Sequence, residues 1–229
     1  MEFMATKGIE YLMAIGYLLL IIPFWWLVGR ETGESAAALG RARALDPARA
    51  MRSWFAMPDG LLFHRGHAWA APEADGVFRV GIDDFAQRLV GRADAVDLPR
   101  AGTLVEAGAP GLNLRFDGHA VKVLSPVGGE VVATNPAVRE DTRVLCDDPY
   151  GKGWLMKVRV PRTASALSNL LSGRAARAWM DDAAESLSTL MGPKLGPVLQ
   201  DGGVPVSGFA RELSPEGWRR IAEELLLTS

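Results

Sequence analysis

Cysteine occurs once in this sequence, at Cys146, so the chain forms no internal disulfide and cannot by itself build a multi-cysteine metal or iron–sulfur site. A lone thiol usually does no more than fill space. A strong excess of charge of either sign is missing as well. The 25 Lys and Arg residues against 27 Asp and Glu leave a formal charge of −2, without a basic block of the kind that grips phosphate backbones. Nucleic acid is therefore not an expected partner. Also absent are a glycine-rich phosphate loop, a GxSxG nucleophile elbow, an HExxH helix and a CxxCH haem motif. Histidine appears only at His64, His67 and His119. The first two are close enough to share a loop, but no wider ligand set accompanies them, so neither a metal nor another cofactor is expected. The chain reads as a protein that is not an enzyme.

What the sequence does have begins with an uncharged stretch, YLMAIGYLLLIIPFWWLVG, from Tyr11 to Gly29. As a helix it would span roughly 28 Å at ~1.5 Å per residue, close to the thickness of a bilayer's hydrocarbon core. Tyr11 and Tyr17, and then Trp25 and Trp26, are amphipathic rings suited to anchoring such a span, and Pro23 predicts a kink near its exit. The opening MEFMATKGIE carries Glu2 and Glu10 against Lys7, which does not suit a cleaved signal peptide. A buried core helix is the alternative, although the stretch is apolar all round rather than along one stripe. Lys7 precedes the span, whereas Arg30, Arg41, Arg43, Arg49 and Arg52 follow it, so the positive-inside rule places the amino terminus in the periplasm and the main domain in the cytoplasm. Residues 1–30 are thus read as a transmembrane anchor in a bacterial inner membrane. Residues 31–52, small, polar and Ala-rich, are read as a linker whose arginines face lipid headgroups, a partner or solvent.

A chain of 229 residues allows one main domain beside such an anchor. From Trp54 to Arg159 it breaks into short β-rich runs, LLFH, WAA, VFRVGI, AVDL, TLVEA, LNLRF, AVKVL, EVVA, RVLC and WLMKVRV, punctuated by Gly, Pro, Asp and Asn. This is the pattern of a small antiparallel barrel or sandwich. DDFAQRLVG interrupts it with Phe85, Ala86 and Leu89 at helical spacing, and Asp83 or Asp84 is placed to cap a short helix. Asp117-Gly118, between two alternating runs, predicts a tight type I′ hairpin. On its return limb Val121 and Val123 share one face and Lys122 the other, so Lys122 is expected to face solvent.

The ordered motifs HRGHAW (64–69), VGIDDFAQRLVG (80–91), DLPRAGTLVEAG (97–108), SPVGGEVVATNPAV (125–138) and DDPYGKGWLMKV (147–158) resemble the H protein of the glycine cleavage system, a relative of lipoyl and biotinyl carrier domains. The resemblance implies a flattened barrel of two antiparallel sheets, a short helix and helical structure near the carboxyl end. Residues 53–162 are accordingly the H-protein-like β domain and 163–229 a helical extension. The resemblance also implies a lipoylated lysine at the hairpin tip, seven residues before the Ser of the Ser-Pro-Val turn. That position is Gly118 here, which has no amine, and the nearest lysine is Lys122. The acidic residue expected just before the carrier lysine is replaced by Arg115-Phe116-Asp117.

In the extension, ALSNLLSGRAARAWMDDAAESLSTLM can gather Leu167, Leu170, Leu171, Trp179, Leu187 and Leu190 into one helical stripe. SPEGWRRIAEELLL predicts a helix with Ser214 as N-cap, Pro215 at its first position, and Trp218, Ile221, Leu225 and Leu226 on one face. Gly217 stands where a full capping box wants Glu or Gln. Between them, MGPKLGPVLQDGGVPVSGF reads as an extended loop. Each stripe covers either the chain's own barrel or a partner. Arg30, Trp179 and Trp218 are the residues expected to dock partner subunits.

An anchor joined to a compact domain that lacks a reactive group points to an accessory or scaffold subunit. Its expected partners are integral membrane subunits of a photosynthetic or respiratory electron-transfer assembly, together with the bilayer. The alternative is a membrane-tethered lipoyl-type carrier modified at Lys122.

Overall fold

This computed structural model describes residues 16, 17, 19–22, 24, 55–161, 167–191, 207–214 and 216–228. The chain divides into two units, Met1–Asp46 and Pro47–Ser229. In the first, the described residues between 16 and 24 are helical, and Tyr17, Leu19, Leu20, Ile22 and Phe24 are exposed. Among the described residues no helix is long and apolar enough to cross a membrane. Tyr11, Pro23, Trp25, Trp26 and Arg30 lie outside the described residues.

The second unit is mainly β. Strands β1 (Leu62–His64), β2 (Ala68–Pro72), β3 (Val77–Ile82), β4 (Ala95–Asp97), β5 (Leu104–Val105), β6 (Pro110–Phe116), β7 (His119–Leu124), β8 (Gly129–Thr134) and β9 (Met156–Arg159) form two sheets. The larger has the order β1-β2-β3-β9-β8-β5 and the smaller β4-β6-β7, with antiparallel pairing throughout. Alternation explains the core. In β6 and β7 the inward residues Leu112, Leu114, Phe116, Val121 and Val123 are buried, while Arg115 and Lys122 between them are exposed. Trp69 sits at the centre with no exposure, and its Nε1 donates to the Ile82 and Pro149 carbonyls at 2.9 and 3.2 Å.

Helix α1 (Asp84–Val90) starts where expected: Asp83 is the N-cap, and its carboxylate accepts from Ala86 N at 2.8 Å. Two further helices, α2 (Pro136–Glu140) and α3 (Arg143–Asp147), follow β8. α3 corrects the reading of RVLC as a strand. Four residues are too few to separate a period of 2 from one of 3.6, and Asp141 Oδ1 accepts from Arg143 N at 2.9 Å, a local bond that starts a turn instead. α2 carried a signal that was available, Asn135 as cap followed by Pro136 at the first helical position.

In the extension, α4 runs from Gly173 to Met191, α5 from Phe209 to Leu213 and α6 from Trp218 to Leu225. The expected stripe is shorter than the pattern suggested. Leu171 exchanges two 2.8 Å backbone bonds with Phe63 and so closes the β1 edge, which takes it out of the helix. α6 likewise starts later than Ser214. Ser214 Oγ accepts from Gly217 N at 3.0 Å, and the Ser214 carbonyl accepts from Trp218 N at 2.8 Å, so serine caps a turn that leads into the helix. Pro215 and most of the Gly/Pro-rich loop lie outside the described residues.

Candidate functional site

The β6–β7 hairpin is the feature on which the functional question turns. Phe116 pairs with His119, leaving Asp117 and Gly118 as a two-residue loop with φ of 48° and 81°, the two positive angles a type I′ turn requires. Asp117 N donates to Asp94 Oδ2 at 2.7 Å, and Arg115 Nε meets Asp97 Oδ2 at 2.7 Å, so β4 holds the outgoing limb in place. A Cβ placed at Gly118 would meet nothing within 4 Å, so the apex opens to solvent. The apex therefore offers a carboxylate, a bare backbone and an imidazole, but no amine. Lys122 pairs with Asn113 four residues on, its side chain exposed on the outer face of the smaller sheet.

The flank of this hairpin is occupied by the extension. Trp218 meets Phe116 edge-on at 5.5 Å between ring centroids, and the Arg211 guanidinium lies 4.9 Å over Phe116 and 4.8 Å over Trp218. Arg211 Nη1 also donates to Asp117 Oδ2 at 3.1 Å, and Arg219 Nη1 lies 3.3 Å from His119 Nδ1. Trp179 and Trp218, read from sequence as partner-docking residues, are each only 8% exposed. Trp179 packs against His67 at 4.7 Å and Trp218 against Phe116, so both indoles pack into the chain's own core. Arg211 was not singled out, because its partner Asp117 lies 94 residues away and no local pattern announces such a contact.

A second polar cluster gathers around His67. His67, 2% exposed and at φ 58°, stacks on Phe85 at 4.1 Å and places Nδ1 2.9 Å from Asp83 Oδ2. Asp83 thus serves both His67 and the start of α1. His64 Nδ1 accepts from Gly66 N at 3.0 Å. Burial, and next the neighbouring His67 ring, hold the His64 imidazole below its ordinary value of 6.5. His119 stands apart from both at the hairpin, and no group of three or more His, Cys, Asp or Glu able to hold a metal occurs among the described residues. Cys146 is half-buried against Gln87 and Ser207, and its thiol is pushed up by burial, away from reactive thiolate.

The lowered His64 sets a pH dependence. A histidine that resists protonation when folded lets the unfolded chain bind the extra proton, so stability is complete above about 6.5 and falls as pH drops through that value. His64→Asn, which keeps an acceptor near Gly66 N, is expected to flatten that part of a melting-temperature curve measured from pH 8 to 5.5.

A family model described as Glycine cleavage H-protein matches residues 61–183. The glycine cleavage system H protein of Cronobacter sakazakii is 36% identical over 126 residues, covering 55% of this chain and 97% of that protein. A probable glycine cleavage system H protein 2 of Sulfurisphaera tokodaii is 37% identical over 123 residues, covering 52% of this chain and 82% of that protein. A crystal structure of the H protein from Mycobacterium marinum shares 30% identity with a TM-score of 0.48, covering 55% of this chain and 99% of that one.

Proposed function

Since the chain belongs to the glycine cleavage H-protein family, whose members are carriers rather than catalysts, we propose that it keeps the carrier domain without the carrier task and works as a scaffold subunit of a membrane-bound assembly. The observation that carries this reading is the hairpin apex. A group swung between partners needs a primary amine on a free arm, and Gly118 supplies none. The apolar stretch from Tyr11 to Gly29 would serve as the membrane span, with Arg30 at its cytoplasmic end and the carrier-like domain on the inner face of a bacterial inner membrane. Integral subunits of a photosynthetic or respiratory electron-transfer complex are the partners this arrangement suits.

A second reading, a tethered lipoyl-type carrier, is favoured by one observation, the exposed amine of Lys122 in a chain of a carrier family. Intact mass of the protein purified from its native cell separates the two. The scaffold reading expects the mass of the unmodified polypeptide, together with co-purification of integral membrane proteins in mild detergent through a tag after Ser229. A lipoyl group localised by peptide sequencing to Lys122 would establish the carrier and end the scaffold reading.

A further inference from the structure

We propose that residues 207–214 and 216–228 form a built-in strap that occupies the flank of the β6–β7 hairpin and excludes any enzyme that must dock there to act on the apex. The strap lies wholly beyond residues 61–183, so it is an addition to the carrier domain rather than part of it. It is fastened at two places and approaches the barrel closely at a third. At its root Gly208 N donates to the Arg88 carbonyl at 2.7 Å and Gln87 Nε2 donates to Ser207 Oγ at 2.8 Å. Gly91, at φ 77°, makes that approach possible, since a Cβ there would come within 2.7 Å of Gly208 Cα. At the apex Arg211, Trp218 and Arg219 hold Asp117, Phe116 and His119. At the base the Leu226 carbonyl lies 3.1 Å from where a Cβ on Gly66 would sit, and Leu226 itself is buried.

The chemistry of the strap fits a permanent occupant. Phe209, Ala210, Trp218, Ala222 and Leu226 are buried, while Arg219, Arg220 and Glu224 face outward. An enzyme acting on a two-residue apex cannot draw a specific interface, about 800 Å² per partner, from those two residues alone, so it must grip the flanks of the hairpin. One flank is the β7 edge, and α6 already packs against β7. The apex remains open to small molecules, because a side chain at position 118 projects into free space. Access is therefore withheld by size.

The inference rests on reading Gly118 as a vacated carrier position, which the native mass decides separately. Its test uses the full chain carrying Gly118→Lys, shown by a cooperative melt to keep its fold despite a side chain at φ 81°, with purified lipoate–protein ligase, lipoate and ATP. In the ligase reaction the lipoate carboxylate attacks the α-phosphorus of ATP and releases pyrophosphate; the introduced amine then attacks the carbonyl of the resulting lipoyl-adenylate, an amide forms, AMP leaves and the amine gives up a proton to solvent. The introduced amine is expected to react readily with a small amine-reactive ester and slowly with the ligase. Opening the strap, by Ala222→Asp or by Arg211→Ala with Trp218→Ala, should raise the ligase rate at least about tenfold, in proportion to the docking-competent population, and leave the ester rate unchanged. Ala222→Asp leaves the Arg211 and Trp218 side chains in place, so it decides the matter if the double variant loses its cooperative melt. Equal ligase rates with the strap closed and open would overturn the proposal. So would an absence of lipoylation in every form, since something other than the strap would then exclude the enzyme.

Discussion

Phe116→Ala is expected to lower the unfolding free energy by about 4 kcal/mol, the range for truncating a fully buried phenylalanine. Phe116 closes the inner face of β6 beside Leu114, and it is also the ring on which Trp218 and the Arg211 guanidinium rest. Its removal leaves a cavity at the junction of barrel and strap. A cycle with Trp218→Ala separates the two roles. Chemical denaturation of the single and double variants should give a coupling of roughly 1 kcal/mol for the edge-on pair. Coupling near zero would mean that strap and hairpin pack independently, contrary to their geometry.

The second large effect is expected at Asp83, which is fully buried and holds two structures at once. Asp83→Ala removes the cap on Ala86 N, a loss of about 1 kcal/mol, and leaves the buried His67 Nδ1 without its partner, which costs about 2 kcal/mol more. A total near 3 kcal/mol should appear as a shift in the denaturation midpoint with unchanged slope. Asp83→Asn, which keeps an oxygen for either partner, should recover part of it. A loss of only the capping contribution would show that the His67 contact adds nothing to stability.

Much of the barrel was legible because it rests on local signals. Asp117-Gly118 between alternating runs specifies a hairpin whatever surrounds it, and the same alternation turns Lys122 outward and Phe116 inward. Asp83 before an apolar helical spacing likewise marked the start of α1. Where signals were short they failed. RVLC is helical because an aspartate two residues before Val's neighbour Arg143 captures its N–H, and Leu171 leaves its helical stripe because the β1 edge offers two backbone bonds.

The apex without an amine could be read from the residues alone, since glycine at position 118 lacks a side chain in any fold. The apolar stripes of the extension also imply that its helices must cover something. What they cover was decided only by the tertiary structure. Trp179 and Trp218 have equal use for a partner or for their own barrel, and the choice turned on Phe116, Asp117 and His67 standing within reach across separations of about a hundred residues. Sequence patterns report which residues share a face, because helix and strand periodicities are local. They do not report which two faces meet, because that is settled by the closure of the whole chain around one core.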